Sequence, residues 1–206
     1  MNLKDYDGRK PKELEPLDRM FLNELSRVIN DVTKNFEDYE YSRAKLSTEQ
    51  FFWKDFCDNY LELVKKRIYN GKGEKKISAQ YTLYQSLLKI LKLAAPITPF
   101  ITEYIYQQHF RKNEKDKSIH ISKWPGVKVF ELHDAKWEKG ILNKLIEIIS
   151  LIRQQKTKAQ KPLNSEIILT ITRQDFAILF GLLEDLKAVT NAKEIKQGKE
   201  FKVEFI

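Results

Sequence analysis

Cysteine is nearly absent from this 206-residue sequence, because Cys57 is the single one in the chain. One cysteine excludes an internal disulfide framework and a thiolate metal cluster. Long hydrophobic runs are missing too, since none reaches the roughly 18 residues that cross a membrane. The opening residues, MNLKD, do not resemble a signal peptide. These absences predict a protein of a reducing, cytosolic compartment that does not span a membrane.

The motifs of common catalytic and nucleotide-binding sites are also missing. Neither GxxxxGK[ST] nor GxGxxG occurs in the sequence. His109, His120 and His133 match no metal-ligand spacing, and the alternation of His120 with apolar neighbours is typical of the solvent face of a strand. Cys57 lies on an apolar helix face with no histidine near it in sequence, which favours a packed thiol over a nucleophile. The sequence therefore predicts no catalytic residue and no metal site.

Charged residues are plentiful, and the positive ones prevail. The chain has 37 lysines and arginines against 29 aspartates and glutamates, a formal net charge of +8. A basic protein of this kind favours an anionic partner. We expect that partner to be nucleic acid or, less often, an acidic membrane surface.

Apolar residues recur at steps of three or four along most of the chain, which predicts amphipathic helices. The predicted helices cover about 16–38, 40–69 with a possible join at 46–48, 78–95, 99–110 and 135–158. Short connectors between them predict an antiparallel helical bundle. The connector sequence SIHISKW is predicted to be extended, and a second connector reaches about Asp134.

The periodicity changes after Lys161-Pro162. Ile167, Leu169 and Ile171 alternate, which predicts a strand. A helical stripe follows, and then two more strands around the turn at Gln197-Gly198. The fold class is therefore mainly α, a helical bundle followed by a small α+β (βαββ) appendage. The predicted parts are a linker at 1–15, the bundle at 16–161 and the C-terminal subdomain at 162–206.

Two predicted helices carry a cation in line with their apolar residues. At 100° per residue, Arg67 falls inside the apolar arc that includes Tyr60, and Lys156 continues the line of Ile148 and Ile152. An unpaired buried guanidinium would cost several kcal/mol. Arg67 therefore has a carboxylate partner, or it lies at a helix end that projects beyond the core.

The basic clusters at these helix ends admit two interpretations. Cations are favoured at helix C-termini and on solvated surfaces, and they also bind the phosphates of a nucleic-acid backbone. Trp124 also has two interpretations. It can stack on a base, or it can seal the end of the bundle, which is the more common role. The candidate RNA-binding residues are Lys65, Lys66, Arg67, Arg153, Lys156, Lys158, Lys161 and Trp124.

Several phrases resemble the helical anticodon-binding domain of class I aminoacyl-tRNA synthetases, in that family's order. They are LDRMFLNELSRVINDVTKNFEDYEYSRA, FFWKDFCDNYLELVKKRIY, YTLYQSLLKILKLAAPITPFITEYIYQ and SIHISKWP. FFWKDFCDNYLELVK is more similar to valyl-tRNA synthetases than to isoleucyl or leucyl enzymes, and IISLIRQQKTKAQKPLN resembles the basic helix that follows in valyl enzymes. The resemblance covers about residues 16–165.

The resemblance implies a domain that supports the anticodon stem-loop of a tRNA, expected to be valine tRNA, next to the catalytic body of the synthetase. The catalytic HIGH and KMSKS motifs and an editing domain are absent, so we expect the C-terminal part of such an enzyme. The full enzyme would ligate valine to its tRNA using ATP, whereas this part would activate no amino acid and hold no cofactor. The alternatives are a protein-interaction or scaffold domain and the same domain of an isoleucyl or leucyl enzyme.

Overall fold

The computed structural model describes residue 3, residues 6–127 and residues 135–206, with the side chains of 135 and 136 excepted. His133 and the predicted connector up to Asp134 lie outside the described residues. The chain forms two compact units, one within residues 1–61 and 71–131 and the other within residues 62–70 and 132–206. The predicted boundary at residue 161 falls inside the second unit.

The first unit is a helical bundle. Its helices are α1 (Pro16–Glu37), α2 (Tyr41–Gln50), a π-helical segment (Phe51–Tyr60), α4 (Gly73–Ala94) and α5 (Pro99–His109). Pro16 and Pro99 lie in the first turns of α1 and α5, where the missing amide hydrogen is not needed. The predicted helical bundle is confirmed for these helices, although α4 begins five residues earlier than predicted and the fifth predicted helix, at 135–158, belongs to the second unit.

The segment before α1 docks against α4 in this unit. The amide of Lys12 donates to Glu74, and the amide of Glu15 donates to the hydroxyl of Ser78, each at 2.9 Å. The ring centroids of Tyr6 and Tyr84 lie 5.5 Å apart. The predicted linker is therefore part of the folded unit over its described residues.

The π-helical segment changes which aromatic side chains face the core. Phe51, Phe56 and Tyr60 are buried, whereas Trp53 is 62% exposed. A π-helix bonds residue i to i+5 and so has a wider turn than an α-helix, which moves Trp53 away from the face that a 100° step predicts. The 100° step that places Arg67 in an apolar arc with Tyr60 also places Trp53 in that arc and so predicts that it packs in the core, which was wrong. Cys57 is only partly buried.

A buried carboxylate joins three helical elements of the first unit. Asp18 of α1 accepts hydrogen bonds from the Tyr60 hydroxyl and the Ser78 hydroxyl, both at 2.5 Å. The ring of Phe21, also in α1, stacks on Tyr60 with centroids 4.0 Å apart. Buried polar groups are stable when their hydrogen bonds are made, so this contact fixes α1 against the π-helical segment and α4.

The SIHISKW connector closes onto α5 without forming a strand. Ile119–Ile121 is a single 3₁₀ turn, so the extended prediction was wrong there. Glu103 of α5 accepts hydrogen bonds from the Ile119 amide and the Ser118 hydroxyl, each at 2.9 Å. These two bonds hold the connector in a tight turn, and His120 is exposed with its Nε2 3.2 Å from the carbonyl oxygen of Pro99.

The second unit contains the α+β appendage. Its elements are α3 (Leu61–Asn70, from Glu62 on), α6 (Ala135–Lys158), β1 (Ile167–Thr172), α7 (Arg173–Ile178), α8 (Leu183–Thr190), β2 (Ala192–Gly198) and β3 (Lys202–Phe205). The strand order is β2-β1-β3, with β2 parallel and β3 antiparallel to β1. The alternating side chains Ile167, Leu169 and Ile171 are fully buried, which confirms the predicted strand and the βαββ order.

Within the described part of the chain, no helix combines the length and the apolarity that a membrane span requires.

Candidate nucleic-acid interface

Lys156 lies inside the second unit and not on its surface. The residue is 1% exposed, and its Nζ donates hydrogen bonds to the carbonyl oxygens of Leu163, Ser165 and Thr190 at 2.8, 2.8 and 2.7 Å. Burial lowers the pKa of its ammonium group, while three carbonyl acceptors match the three donors of the charged form. The expectation that Lys156 is displayed to a ligand was wrong, because α6 continues its apolar face through this residue.

The sequence did not decide whether Arg67 has a carboxylate partner, and the structure shows that it does. Its Nε lies 2.9 Å from Oδ1 of Asp185 in α8, and the two side chains are 12% and 11% exposed. The guanidinium is thus neutralised within the second unit and links α3 to α8. Arg67 loses the exposure on which its selection as an RNA-binding residue rested.

The other basic candidates are exposed. Lys66 and Arg153 face solvent, as do Lys158 and Lys161 at the end of α6. Lys65 is also exposed and forms a surface ion pair, its Nζ 3.1 Å from Oε1 of Glu62. Surface pairs of this kind contribute only about 0–1 kcal/mol, so Lys65 can exchange its partner for a phosphate. Their role in RNA binding stays a prediction.

Trp124 packs on the first unit while one part of its ring stays accessible. Its indole Nε1 donates to the hydroxyl of Thr33 in α1 at 2.8 Å. Its ring meets that of Phe36 edge to face, with centroids 5.4 Å apart. This packing agrees with a sealing role, and the accessible part leaves base stacking possible.

The sequence did not single out the aromatic residues beside Trp124. Phe36 contacts Tyr41, and Tyr41 contacts Tyr39, with ring centroids 5.8 and 6.3 Å apart. We refer to Tyr39, Tyr41, Phe36 and Trp124 as the aromatic row. The available signal was the phrase NFEDYEY, which places three aromatic residues around the end of α1, but nothing in it shows that Trp124 joins them.

The described residues offer neither a metal site nor a reactive thiol. Among the described residues, no three histidine, cysteine, aspartate or glutamate side chains converge as a metal site. Burial, together with the neighbouring Asp58, raises the pKa of the Cys57 thiol. A raised pKa disfavours the reactive thiolate, so Cys57 lacks the environment of a nucleophile.

Comparison with known proteins identifies the family. The model described as the anticodon-binding domain of tRNA ligase matches residues 18–172. The chain belongs to this family. The matched region runs from Asp18, in the first turn of α1, to the end of β1, and it confirms the resemblance seen in the sequence.

Relatives of this anticodon-binding domain protein are much longer. The valine–tRNA ligase of Pyrococcus furiosus is 31% identical over 199 residues, which are 95% of this chain and 22% of the relative. The enzyme of Orientia tsutsugamushi is 38% identical over 86% of this chain and 21% of the relative. That of Haloarcula marismortui is 35% identical over 91% of this chain and 19% of the relative. The chain thus spans about a fifth of the curated relatives that it matches.

Proposed function

We propose that this chain is the tRNA-binding part of a valine–tRNA ligase and that it binds the anticodon stem-loop of valine tRNA. The observation that carries the proposal is the family match over residues 18–172, together with valine–tRNA ligases aligned over 86–95% of the chain. Activation of valine with ATP and its ligation to tRNA belong, in this proposal, to a catalytic body outside these 206 residues. The chain itself then needs no cofactor.

The exposed cations support binding to a polyanion. Arg153, Lys158 and Lys161 extend from the end of α6 into solvent, and the chain as a whole carries +8. Phosphate contacts supply much of the affinity for nucleic acid and make it depend on salt. A folded RNA loop adds specificity, because its unstacked bases are accessible to side chains.

The test is a titration of the intact chain with a valine tRNA transcript across a salt series, followed by fluorescence anisotropy. We expect the logarithm of the association constant to fall linearly with the logarithm of salt concentration, by about 0.7–0.9 per phosphate contacted. We also expect the chain to bind valine tRNA more tightly than a tRNA for another amino acid. Equal binding to both, with no salt slope, contradicts the proposal.

A second candidate function is docking of this domain to the catalytic body of the synthetase. It is favoured by the outer face of α5, where Phe100 is 90% exposed and Ile101 and Tyr104 are exposed beside it. Contiguous exposed apolar side chains mark interaction surfaces. Co-purification of a synthetase body with the chain, without RNA and abolished by Phe100→Ser, favours this function. Unchanged co-purification by that variant argues against α5 as the surface.

A further inference from the structure

A cavity of about 330 Å³ opens beside Trp124 in the first unit. Its floor is apolar and includes the buried side chains of Leu22 and Leu88. Trp124 and the following residues Pro125 and Gly126 form another side. The volume lies at the lower end of the roughly 300–1,000 Å³ that is typical of small-molecule sites. It is therefore suited to one nucleotide unit rather than to a large ligand.

Lysines dominate the charge of this cavity. Lys89 and Lys92 line it from one face of α4, and Lys123 lines it from the connector. Glu114 is the one carboxylate among the lining residues, which leaves a formal charge of +2, and its Oε1 accepts a hydrogen bond from Tyr84. Lys92 Nζ also donates to the carbonyl oxygen of Lys123 at 3.3 Å, which ties the connector to α4. A positive cavity of this kind fits a phosphate group.

The aromatic row continues outward from the cavity through Trp124. Tyr41 is exposed, and Tyr39 at the far end is 79% exposed. Tyr39 adopts φ = 61°, in the left-handed region that a bulky side chain rarely occupies. The amides of Asp38, Tyr39 and Glu40 all donate to carbonyl oxygens of α1, which holds this turn in place. A left-handed residue with these amide bonds is a common way for a helix to end.

The charges along this surface differ between its two ends. Glu37, Asp38 and Glu40 flank the two tyrosines, whereas the three lysines surround the cavity. Phosphates are repelled by the carboxylates and attracted by the lysines. A strand that reaches the tyrosine rings brings its phosphates toward these carboxylates, so the attraction for a phosphate lies at the lysine end. This arrangement combines a cationic groove with stacking rings, as single-stranded nucleic-acid sites do.

We propose that the cavity and the aromatic row form a binding site for unpaired RNA, in which Lys89, Lys92 and Lys123 hold a phosphate and Trp124 and the tyrosines each offer a ring face to an unstacked base. The inference rests on the proposed function, because it assigns the loop of the bound tRNA to this surface of the first unit.

The first measurement compares the affinity of intact variants for the valine tRNA transcript. Lys92→Gln/Lys123→Gln removes two charges from the cavity, and Lys54→Gln/Lys72→Gln removes two charges from exposed positions outside it. We expect the cavity variant to bind about five-fold more weakly or worse, and the control to change about two-fold at most. Tyr39→Asn, which suits the left-handed turn, is expected to weaken binding about five-fold by removing one stacking ring.

The second measurement reports on Trp124 directly. In a Trp53→Phe/Trp137→Phe background, Trp124 is the only tryptophan, since the chain has three. We expect its fluorescence to be quenched by a seven-nucleotide RNA with the anticodon-loop sequence and not by inorganic phosphate at the same concentration.

The outcomes separate this inference from the proposed function. If the wild-type chain binds valine tRNA but the cavity variant matches the control and Trp124 is not quenched, the site is overturned while tRNA binding stands. If the wild-type chain binds no tRNA, both are overturned. If a protein partner is lost from the cavity variant while tRNA affinity is unchanged, the surface binds protein and the RNA site is overturned.

Discussion

Arg67 and Asp185 form an ion pair between α3 and α8, with Nε and Oδ1 2.9 Å apart and both side chains nearly buried. We expect Arg67→Met to lower the free energy of unfolding by about 3 kcal/mol, because the nearly buried Asp185 then loses this ion pair. Arg67→Met/Asp185→Leu should recover much of that loss. Urea denaturation followed by circular dichroism measures both, and equal stability of Arg67→Met and wild type contradicts this account.

Lys156 and Lys158 lie two residues apart in α6 and are expected to respond in opposite ways. Lys156→Met removes the donor for three carbonyl oxygens, so it should lower the free energy of unfolding by about 2–3 kcal/mol. Lys158→Met changes an exposed residue and should stay within about 0.5 kcal/mol of wild type. Conversely, Lys158→Met should weaken binding to valine tRNA, measured by anisotropy, whereas Lys156→Met should not while it is folded. The reverse pattern would refute the assignment of Lys156 as a structural residue.

Tyr39 holds a left-handed backbone at the α1–α2 turn. Asparagine occupies this region with less strain than tyrosine, so Tyr39→Asn should raise the free energy of unfolding by about 0.5–1 kcal/mol. Thermal denaturation of the free chain measures the change. A loss of stability would show that the tyrosine ring stabilises the turn more than its backbone strain destabilises it.

Glu103 makes the stability of the first unit sensitive to acid. Burial opposes ionisation of this carboxyl group, but hydrogen bonds from Gln107, the Ile119 amide and Ser118 outweigh it and lower its pKa below the ordinary value of 4.5. Because the folded state holds the proton less tightly than the unfolded state, the contribution is complete above pH 4.5 and is lost as the pH falls below it.

Denaturant titrations from pH 6 to pH 3 test this dependence. Glu103→Gln should lower stability at pH 6 and show a shallower decline toward pH 3 than wild type, while Glu200→Gln at an exposed site serves as the control. Parallel pH profiles for wild type and Glu103→Gln would contradict the assignment.

The sequence was sufficient for the elements whose side-chain pattern is local. In α1 and α6, apolar residues recur every three or four positions, and in β1 the apolar Ile167, Leu169 and Ile171 alternate with other residues. The structure forms helices and a strand where these patterns predict them. The π-helical segment was not predicted, because the sequence was analysed with the 100° step of an α-helix and a π-helix has a wider turn. The exposure of Trp53 agrees with that difference.

The site was harder to predict, because its chemistry depends on partners distant in sequence. Arg67 and Lys156 were placed correctly on apolar helix faces, but the partner of Arg67 is Asp185 and one of the acceptors of Lys156 is Thr190. Whether such a cation is displayed or neutralised is decided by those contacts. The contact of Trp124 with Phe36 likewise joins residues that no periodic pattern connects.

An anticodon exchange tests recognition of the tRNA most directly. The valine anticodon is transplanted into a tRNA that the chain binds weakly, and the affinities of the parent and the transplanted transcripts are measured at one salt concentration. We predict that the transplant gains at least about ten-fold in affinity, or about 1.4 kcal/mol. No gain, with valine tRNA still bound at its original affinity after its own anticodon is replaced, would contradict anticodon recognition by this domain.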